Sequence, residues 1–243
     1  MRDSTPGFGK ALEKGLDLLE RLAQSGTPLA FTELRSQLDA SPASFARFLK
    51  ILARRGYVQH DRTGRYRLGW RLAQLGQVVL DASRLRQMAD PHLQAIRKAT
   101  RETAELAEFQ DGHFQFLARL ESPQSILLRA RPGSRFPVTS GTAIGILGLA
   151  YGLGGTEPLE APGANAIRRA CFAEGFQNDN EAYRAAAPLI DATGHCIACL
   201  VVAAPAFRMD TTRRRTNKKV LCAQARALSR LLGGVRDDEG GES

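Results

Sequence analysis

Cys196 and Cys199 form a C-x-x-C directly after His195, within the run HCIACLVVAA. Converging thiols at that spacing can hold zinc or close a disulfide, and a thiol beside an imidazole can be a nucleophile with its base. The run is rich in β-formers, however. On a strand, adjacent residues and residues three apart point to opposite faces. His195 is then turned away from Cys196, and Cys196 away from Cys199. What remains is a pair of buried thiols acting as small hydrophobes, reduced as is usual in the cytosol. Cys171, Cys222 and Ser140 are the other candidate nucleophiles, and His60, His92 and His113 the other imidazoles. None falls in an H-E-x-x-H, G-x-S-x-G or P-loop pattern. The chain is therefore not expected to be an enzyme, and no metal or cofactor is expected.

The second chemistry on offer is cationic. Formal net charge is +9. Residues 1–80 carry 13 basic and 7 acidic side chains, a net of +6, while residues 81–243 carry 21 and 18, a net of +3. Six arginines and a single acid, Asp61, lie between Arg54 and Arg71. Such a run is either an ordinary solvated face or the footprint of nucleic-acid binding. The second reading needs a docking geometry behind it.

The elements around those arginines supply one. Residues 8–24, FGKALEKGLDLLERLAQ, place Leu12, Leu16, Leu19 and Ala23 near helical spacing. SGTP breaks that helix, and TELRSQLDA makes a second, short one. Ser41 then offers an N-cap and Pro42 a first helical position. On the third helix Phe45, Phe48, Leu49 and Leu52 fall on one stripe, with Ala43, Arg47, Lys50 and Arg54 opposite. Gly56 is a left-handed C-cap. Tyr57–His60 and Arg65–Leu68 are short β runs joined by DRTG, where Gly64 can take positive φ. Arg65 and Arg67 share the outer face of the hairpin, and Tyr66 and Leu68 the inner one. Three helices and a basic hairpin make a winged helix-turn-helix, in which the third helix enters the major groove and the wing reaches phosphates or the minor groove. The candidate DNA contacts are Ser41, Ala43, Ser44, Arg47, Lys50, Arg54, Arg62, Arg65 and Arg67.

Residues 70–87 read as a linking helix. Its apolar positions (Trp70, Leu72, Leu75, Val78, Val79) wrap too broadly for a lone surface helix, which predicts packing against the first domain or a second subunit. The texture then changes. Asp90-Pro91 opens a helix, DPHLQAIRKATRET. ELAEFQ and HFQFLARL are strands joined by Asp111-Gly112, a strong hairpin signal. SILLRA reads as a third strand, PGSRFPVTSG as a loop, TAIGILGLAYG as a small-residue helix and ANAIRRACFAEG as a further helix. YRAAAPLID and HCIACLVVAAP form another strand pair around Ala192-Thr193-Gly194, and TTRRRTNKKVLCAQARALSRLLGG closes the chain as a helix ending at Gly233. The fold class is thus mixed α/β, with an N-terminal winged helix-turn-helix, a linking helix and a C-terminal α+β domain on an antiparallel sheet. The expected boundaries are 1–7 disordered, 8–69 DNA-binding, 70–87 linker, 88–233 second domain and 234–243 a disordered acidic tail. No apolar run reaches the ~18 residues of a membrane span, and the N-terminus lacks the apolar centre of a signal peptide, so a cytoplasmic protein is expected.

The segments ALEKGLDLLERLA, SPASFARFLKILARRGYVQHDRTGRYRLG with its following RLAQLG, the long run from PHLQAIRKAT to PVTSGTAIG, AIRRACFAEGF and APLIDATGHCIACLVVAAP together resemble the IclR family of bacterial transcription regulators, over residues 8 to 233. The R-G-Y-V…D-x-x-G-R-Y-R-L-G signature carries most of the resemblance. It implies a GAF-like effector-binding second domain, homodimers or homotetramers, and a palindromic double-stranded DNA operator, bound as repressor or activator. It also implies a small organic acid or aromatic effector.

By that resemblance the effector candidates are Thr139, Ser140, Gly141, Thr142, Ala143, Arg184, Cys199, Val201 and Ala203. The chain departs from the family where polar groups are expected. The family's S-x-S-G-P run is Val201-Val202-Ala203-Ala204-Pro205 here, and the family's lysine is Ile146. A small carboxylate needs several donors aimed at two oxygens. Thr139–Thr142 and the amides opening the next helix remain as donors, and Arg184 is either a single anion partner or a surface arginine. Three alternatives stay open: an apolar or aromatic effector, a weak anion site, or a degenerate domain that senses nothing.

Overall fold

The computed structural model describes residues 7–36, 41–126, 134–154, 160–177 and 181–234. The chain divides after Ala82 into two compact units.

In the first unit, α1 (Gly7–Ser25) and α2 (Phe31–Arg35) precede α3 (Pro42–Arg54). α3 begins as its sequence dictates: the Ser41 Oγ accepts the Ser44 N–H at 3.3 Å, and Pro42 occupies the first turn. Phe45 and Leu49 are buried with Leu18, Leu22, Leu34 and Val58, and the Phe45 ring meets Phe31 edge to face at 5.0 Å. Each such side chain contributes roughly 1.5–3 kcal/mol on burial. The buried stripe of α1 is therefore Leu18 and Leu22, while Leu12 and Leu16 are 67% and 51% exposed. Gly7, expected to be disordered, opens α1. The second half of TELRSQLDA, residues 37–40, lies outside the described residues.

The hairpin pairs β1 (Val58–His60) with β2 (Tyr66–Leu68) in antiparallel register, Gln59 facing Arg67. One carboxylate oxygen organises its turn: Asp61 Oδ1 accepts from the Thr63 N–H, the Thr63 hydroxyl and the Arg65 N–H at 2.8, 2.7 and 2.9 Å. β2 is also bonded on its other side, where Tyr66 exchanges both backbone hydrogen bonds with Leu29. The segment at residues 25–28, expected only to break the helix, thus leads into a bridge that no local signal marks. At the base of the hairpin Gly69 lies so close to Gly56 that a Cβ on it would collide with the Gly56 carbonyl.

α4 (Trp70–Ala82) ends where Ser83 turns extended and caps α5 (Arg84–Thr100), its Oγ accepting the Arg86 N–H at 3.3 Å. The expected single linker helix of residues 70–87 is thus two helices, and Pro91 lies inside α5 instead of opening it. The proline removes one internal hydrogen bond. The helix runs through because Ser83 starts it and Ala89, Leu93 and Ile96 anchor it on the sheet.

That sheet has six antiparallel strands in the order β5-β4-β3-β8-β7-β6. They are β3 (Thr103–Gln110), β4 (His113–Leu120), β5 (Arg135–Pro137), β6 (Ala173–Gln177), β7 (Ala182–Ile190) and β8 (Cys196–Pro205). Asp111 and Gly112 take φ of 50° and 70°, which makes the β3–β4 hairpin turn. One face carries α5 and α8 (Thr211–Leu231) over Leu106, Leu200 and Val202. The other carries α6 (Ala143–Ala150), whose Ile144 and Leu147 pack with Ala107, Phe116, Ala186, Cys199 and Val201.

Several expectations change here. PGSRFPVTSG is not all loop, because Arg135–Pro137 pairs with β4 as an edge strand, a position that tolerates proline. ANAIRRACFAEG is not all helix. α7 (Ala161–Ala170) stops at Cys171, which takes the left-handed φ of 51°, and β6 follows. Gly234 is held by a hydrogen bond from its N–H to the Ser229 carbonyl at 2.8 Å. Of SILLRA, Ser125 and Ile126 form a bend, and residues 127–130 lie outside the described residues, as do 235–243 of the tail.

Candidate nucleic-acid interface and effector face

With Phe45 and Leu49 fixed beneath it, α3 presents Ser41, Ala43, Ser44, Arg47, Lys50 and Arg54 on its exposed side. Arg62 and Arg67 are exposed on the hairpin. Among the described residues, Arg47, Lys50, Arg54, Arg62 and Arg67 have no hydrogen-bond or ion-pair partner for their head groups. A helix face with small residues beside cations can lie close to a groove, and free guanidiniums can meet phosphates or base edges. Arg65 differs. Its Nη1 donates to the Pro28 carbonyl at 3.1 Å and lies 3.4 Å from Glu33 Oε2. It therefore braces the hairpin against α2, although its side chain remains 47% exposed. Asp61 is held below the usual carboxylate range, first by the Thr63 hydroxyl and then by the Arg65 amide.

The effector candidates do not form one polar pocket. Thr139, Ser140 and Gly141 are exposed, Thr142 is half-buried and Ala143 is buried. Thr142 caps α6, its Oγ1 accepting the Gly145 N–H at 2.8 Å. Gly145 fits because a Cβ there would collide with the Thr139 carbonyl, so the strand-to-helix connection lies directly on the helix start. Cys199, Val201 and Ala203 are fully buried on β8, with Cys199 and Val201 packed in the cluster under α6. Burial pushes the Cys199 thiol well above its ordinary value and that of Cys196 up to about 12. Neither is a thiolate at neutral pH. Among the described residues, no group of His, Cys, Asp or Glu is placed to hold a metal ion.

Arg184 is not a surface arginine. Its side chain is 15% exposed, its Nη1 donates to Gln177 Oε1 at 2.7 Å, and its Nε lies 3.8 Å from Glu105 Oε2. Glu105 is fully buried and also pairs with Arg119 of β4 through Oε1. Burial raises the Glu105 carboxyl above its ordinary range, against the pull of Arg184 and Arg119. The pairing register sets Glu105 opposite Val201, and Arg184 opposite Ala203. Polar groups missing from β8 are thus present on its neighbours. The signal in the sequence was the alternation of TAELAEFQ, which puts Thr103 and Glu105 on the same face as Ala107, buried against α6.

Residues 11–62 match the IclR helix-turn-helix domain, and residues 77–154 match the C-terminal domain of bacterial transcriptional regulator IclR. The chain belongs to the IclR family. It is a DNA-binding transcription regulator. The HTH-type transcriptional regulator KdgR of Dickeya chrysanthemi is 26% identical over 95% of this chain and 82% of its own length. XynR of Escherichia coli, of the same type, is 26% identical over 92% of this chain and 97% of its own. The fold matches the IclR transcriptional regulator of Alicyclobacillus acidocaldarius with a TM-score of 0.77 at 20% identity, covering 92% and 98% of the two chains. It also matches an IclR homologue from Microbacterium hydrocarbonoxydans, solved in complex with 4-hydroxybenzoate, with a TM-score of 0.71 at 22% identity over 91% and 99%. Within the family frame, the hairpin is the wing and the α6 side of the sheet is the face that bears the effector candidates. Among the described residues, no helix is long and apolar enough to cross a membrane.

Proposed function

We propose that this regulator works in the cytoplasm as a homodimer or homotetramer and reads a palindromic operator. Each protomer inserts α3 into the major groove and lays the hairpin on the flanking backbone. Ser41, Ala43, Ser44, Arg47, Lys50 and Arg54 line the groove, and Arg62, Arg65 and Arg67 meet phosphates. The observation that carries this reading is the combination on α3 of a face pinned by Phe45 and Leu49 with an opposite face of uncommitted cations. Self-association is supported by α4, where Trp70, Val78 and Val79 are 70%, 67% and 69% exposed. Apolar residues grouped in this way mark an interaction surface, and a two-fold pairing gives the operator its symmetry. Two such units make on the order of 6–10 phosphate contacts, so affinity falls steeply with salt.

The second unit senses a small organic molecule on the α6 side of its sheet, and the resulting coupling alters operator affinity. A catalytic role is not part of this reading. The Microbacterium homologue, solved in complex with 4-hydroxybenzoate, supports sensing of a small molecule by a regulator of this family. A second reading, a DNA-binding regulator whose domain senses nothing, is favoured by one observation: Cys199, Val201 and Ala203 are buried and give β8 no exposed polar group.

The test is a binding titration of the full chain against promoter fragments flanking its own gene and against scrambled duplexes, at low and moderate ionic strength. Specific retention that weakens sharply with salt is expected. No binding to any duplex at low ionic strength overturns the DNA reading. A melting-temperature screen of organic acids and aromatics, repeated with the operator present, separates the sensing form from the silent one.

A further inference from the structure

On the α5–α8 side of the sheet, away from α6, a cleft of about 390 Å³ lies between the end of α5 and the start of α8. Arg101, Gln124, Met209, Arg213, Thr216 and Asn217 line it, and none of its lining residues is acidic. Arg101 follows α5 in the left-handed conformation, at φ 63°, where glycine is the unstrained choice. Its carbonyl accepts from the Ser122 hydroxyl at 2.8 Å and from Gln124 Nε2 at 2.9 Å, so the backbone beneath the side chain is fixed. Its guanidinium is exposed and has no hydrogen-bond or ion-pair partner among the described residues.

Arg213 has donors to spare as well. Its Nη1 lies 3.9 Å from Glu102 Oε1, too far for a hydrogen bond, and its side chain is 51% exposed. That oxygen already accepts from Arg208 Nε at 2.9 Å and Gln124 Nε2 at 3.2 Å, and Oε2 accepts from Arg208 Nη2 at 2.7 Å. Arg208 therefore neutralises Glu102 without help from Arg213. Arg213 also stands in the first turn of α8, where a cation opposes the helix dipole. Neighbouring Arg214 is compensated by Glu174 at 2.7 Å. Asp210, the N-cap, spends Oδ1 on the Arg213 amide at 2.7 Å and does not line the cleft. The cleft also reaches Asn217, which is 2% exposed and whose Nδ2 donates to the Met209 thioether at 3.3 Å. A thioether is a weak acceptor, so a stronger one can claim that amide.

Two guanidiniums with spare donors, on two different elements and with no acid in the lining, suit a compact anion of more than one charge. A phosphate group carries about −1.5 to −2 and directs three acceptor oxygens apart. Each arginine can take one oxygen and the Asn217 amide another. A carboxylate offers a single charge and two oxygens in one plane. We propose that this cleft binds a phosphate group, free or on a small metabolite, between Arg101 and Arg213. The site is separate from the α6 face and does not rest on the sensing reading above.

The experiment uses the full-length protein with inorganic phosphate, glycerol phosphate, succinate and chloride at matched ionic strength. Binding is read by titration calorimetry and by the shift in melting temperature. Both phosphates are expected to bind and to raise the melting temperature where succinate and chloride do neither. Tighter binding of glycerol phosphate assigns the site to a phosphorylated metabolite, and otherwise to the free ion; either upholds the proposal. Arg101→Gln and Arg213→Gln should each weaken phosphate by about tenfold, as loss of a charge-assisted hydrogen bond does. Arg215→Gln removes an exposed cation of the same helix that does not line the cleft, and should leave binding unchanged. Circular dichroism checks that each variant is folded. Phosphate binding no tighter than succinate overturns the proposal. So does an equal loss in Arg215→Gln and Arg213→Gln, which reduces the cleft to a diffuse basic surface. Absence of heat and of any melting shift with both phosphates overturns it too. None of these results bears on DNA binding or on sensing at the α6 face, which are measured separately.

Discussion

On α3 and the hairpin, the side chains of Arg47, Arg54, Arg62 and Arg67 stand in water without partners among the described residues. In the second unit, those of Arg119, Arg184 and Arg208 are 4%, 15% and 10% exposed, and each faces a buried glutamate. The residue type is the same, and the surroundings decide its work. Where arginine is matched by Glu102 or Glu105 it holds a sheet together, and where it is unmatched on an anchored helix it is available to a polyanion. Arg65 stands between these cases, half-exposed but leaning on Glu33 and the Pro28 carbonyl. Net charge alone would have ranked all of them equally.

The sharpest way to break that contrast is Arg208→Ala. Arg208 meets Glu102 through two hydrogen bonds of 2.9 and 2.7 Å, and Glu102 is fully buried. Leaving that carboxylate without its bidentate partner should cost about 3–5 kcal/mol, measured by urea denaturation. Operator affinity well below the transition should be unchanged. Arg47→Ala should do the reverse. It is expected to cost about 1–3 kcal/mol of operator affinity, to relax specificity and to leave the urea midpoint alone.

The hairpin offers a smaller and finer test. Arg67→Ala should weaken binding to operator and random duplex alike and reduce the salt slope by about one. Arg65→Ala should do less to the slope, since part of its side chain is already engaged and exposed pairs of this kind contribute only about 0–1 kcal/mol. Equal slopes for the two variants would erase the distinction between braced and free arginines. The smallest effect concerns Asp61. Its folded carboxyl is held below the unfolded value, so the support it gives the turn is present above ~4 and is lost as pH falls through the lowered folded value. The amide shifts of Thr63 and Arg65 should therefore be steady at neutral pH and move only in acid. Asp61→Ala should reproduce the acid pattern at neutral pH.

The parts of this fold that could be read in advance are those where a local rule has a single answer. Ser41-Pro42 starts a helix, Asp111-Gly112 turns a hairpin, and the stripe of Phe45 and Leu49 must face a core. The repeated D-x-T-G, at Asp61 and again at Asp191, builds the same turn twice, with one aspartate oxygen accepting from a threonine amide and hydroxyl. Reading failed where tertiary context overrode the local signal. Pro91 resembled a helix start, yet Ser83 had already made one. The end of α7 carried no glycine to mark it, because Cys171 takes the left-handed conformation itself. Glu105, Arg119 and Arg184 are far apart in sequence, and only the strand order brings them together. The sequence therefore leaves Arg184 as either an anion partner or a surface arginine. The candidate DNA contacts, by contrast, lie within one continuous stretch whose periodicity could be counted.

The close approach of Gly69 to Gly56 has a mechanical result. Because no methyl group fits between those backbones, the end of α3 and the root of the hairpin are a single stiff bracket. A bracket does not need to be ordered by the duplex it grips, so little motional freedom is surrendered on association. The distance between α3 and the hairpin is set when the chain folds, and under the proposed docking an operator must conform to that spacing.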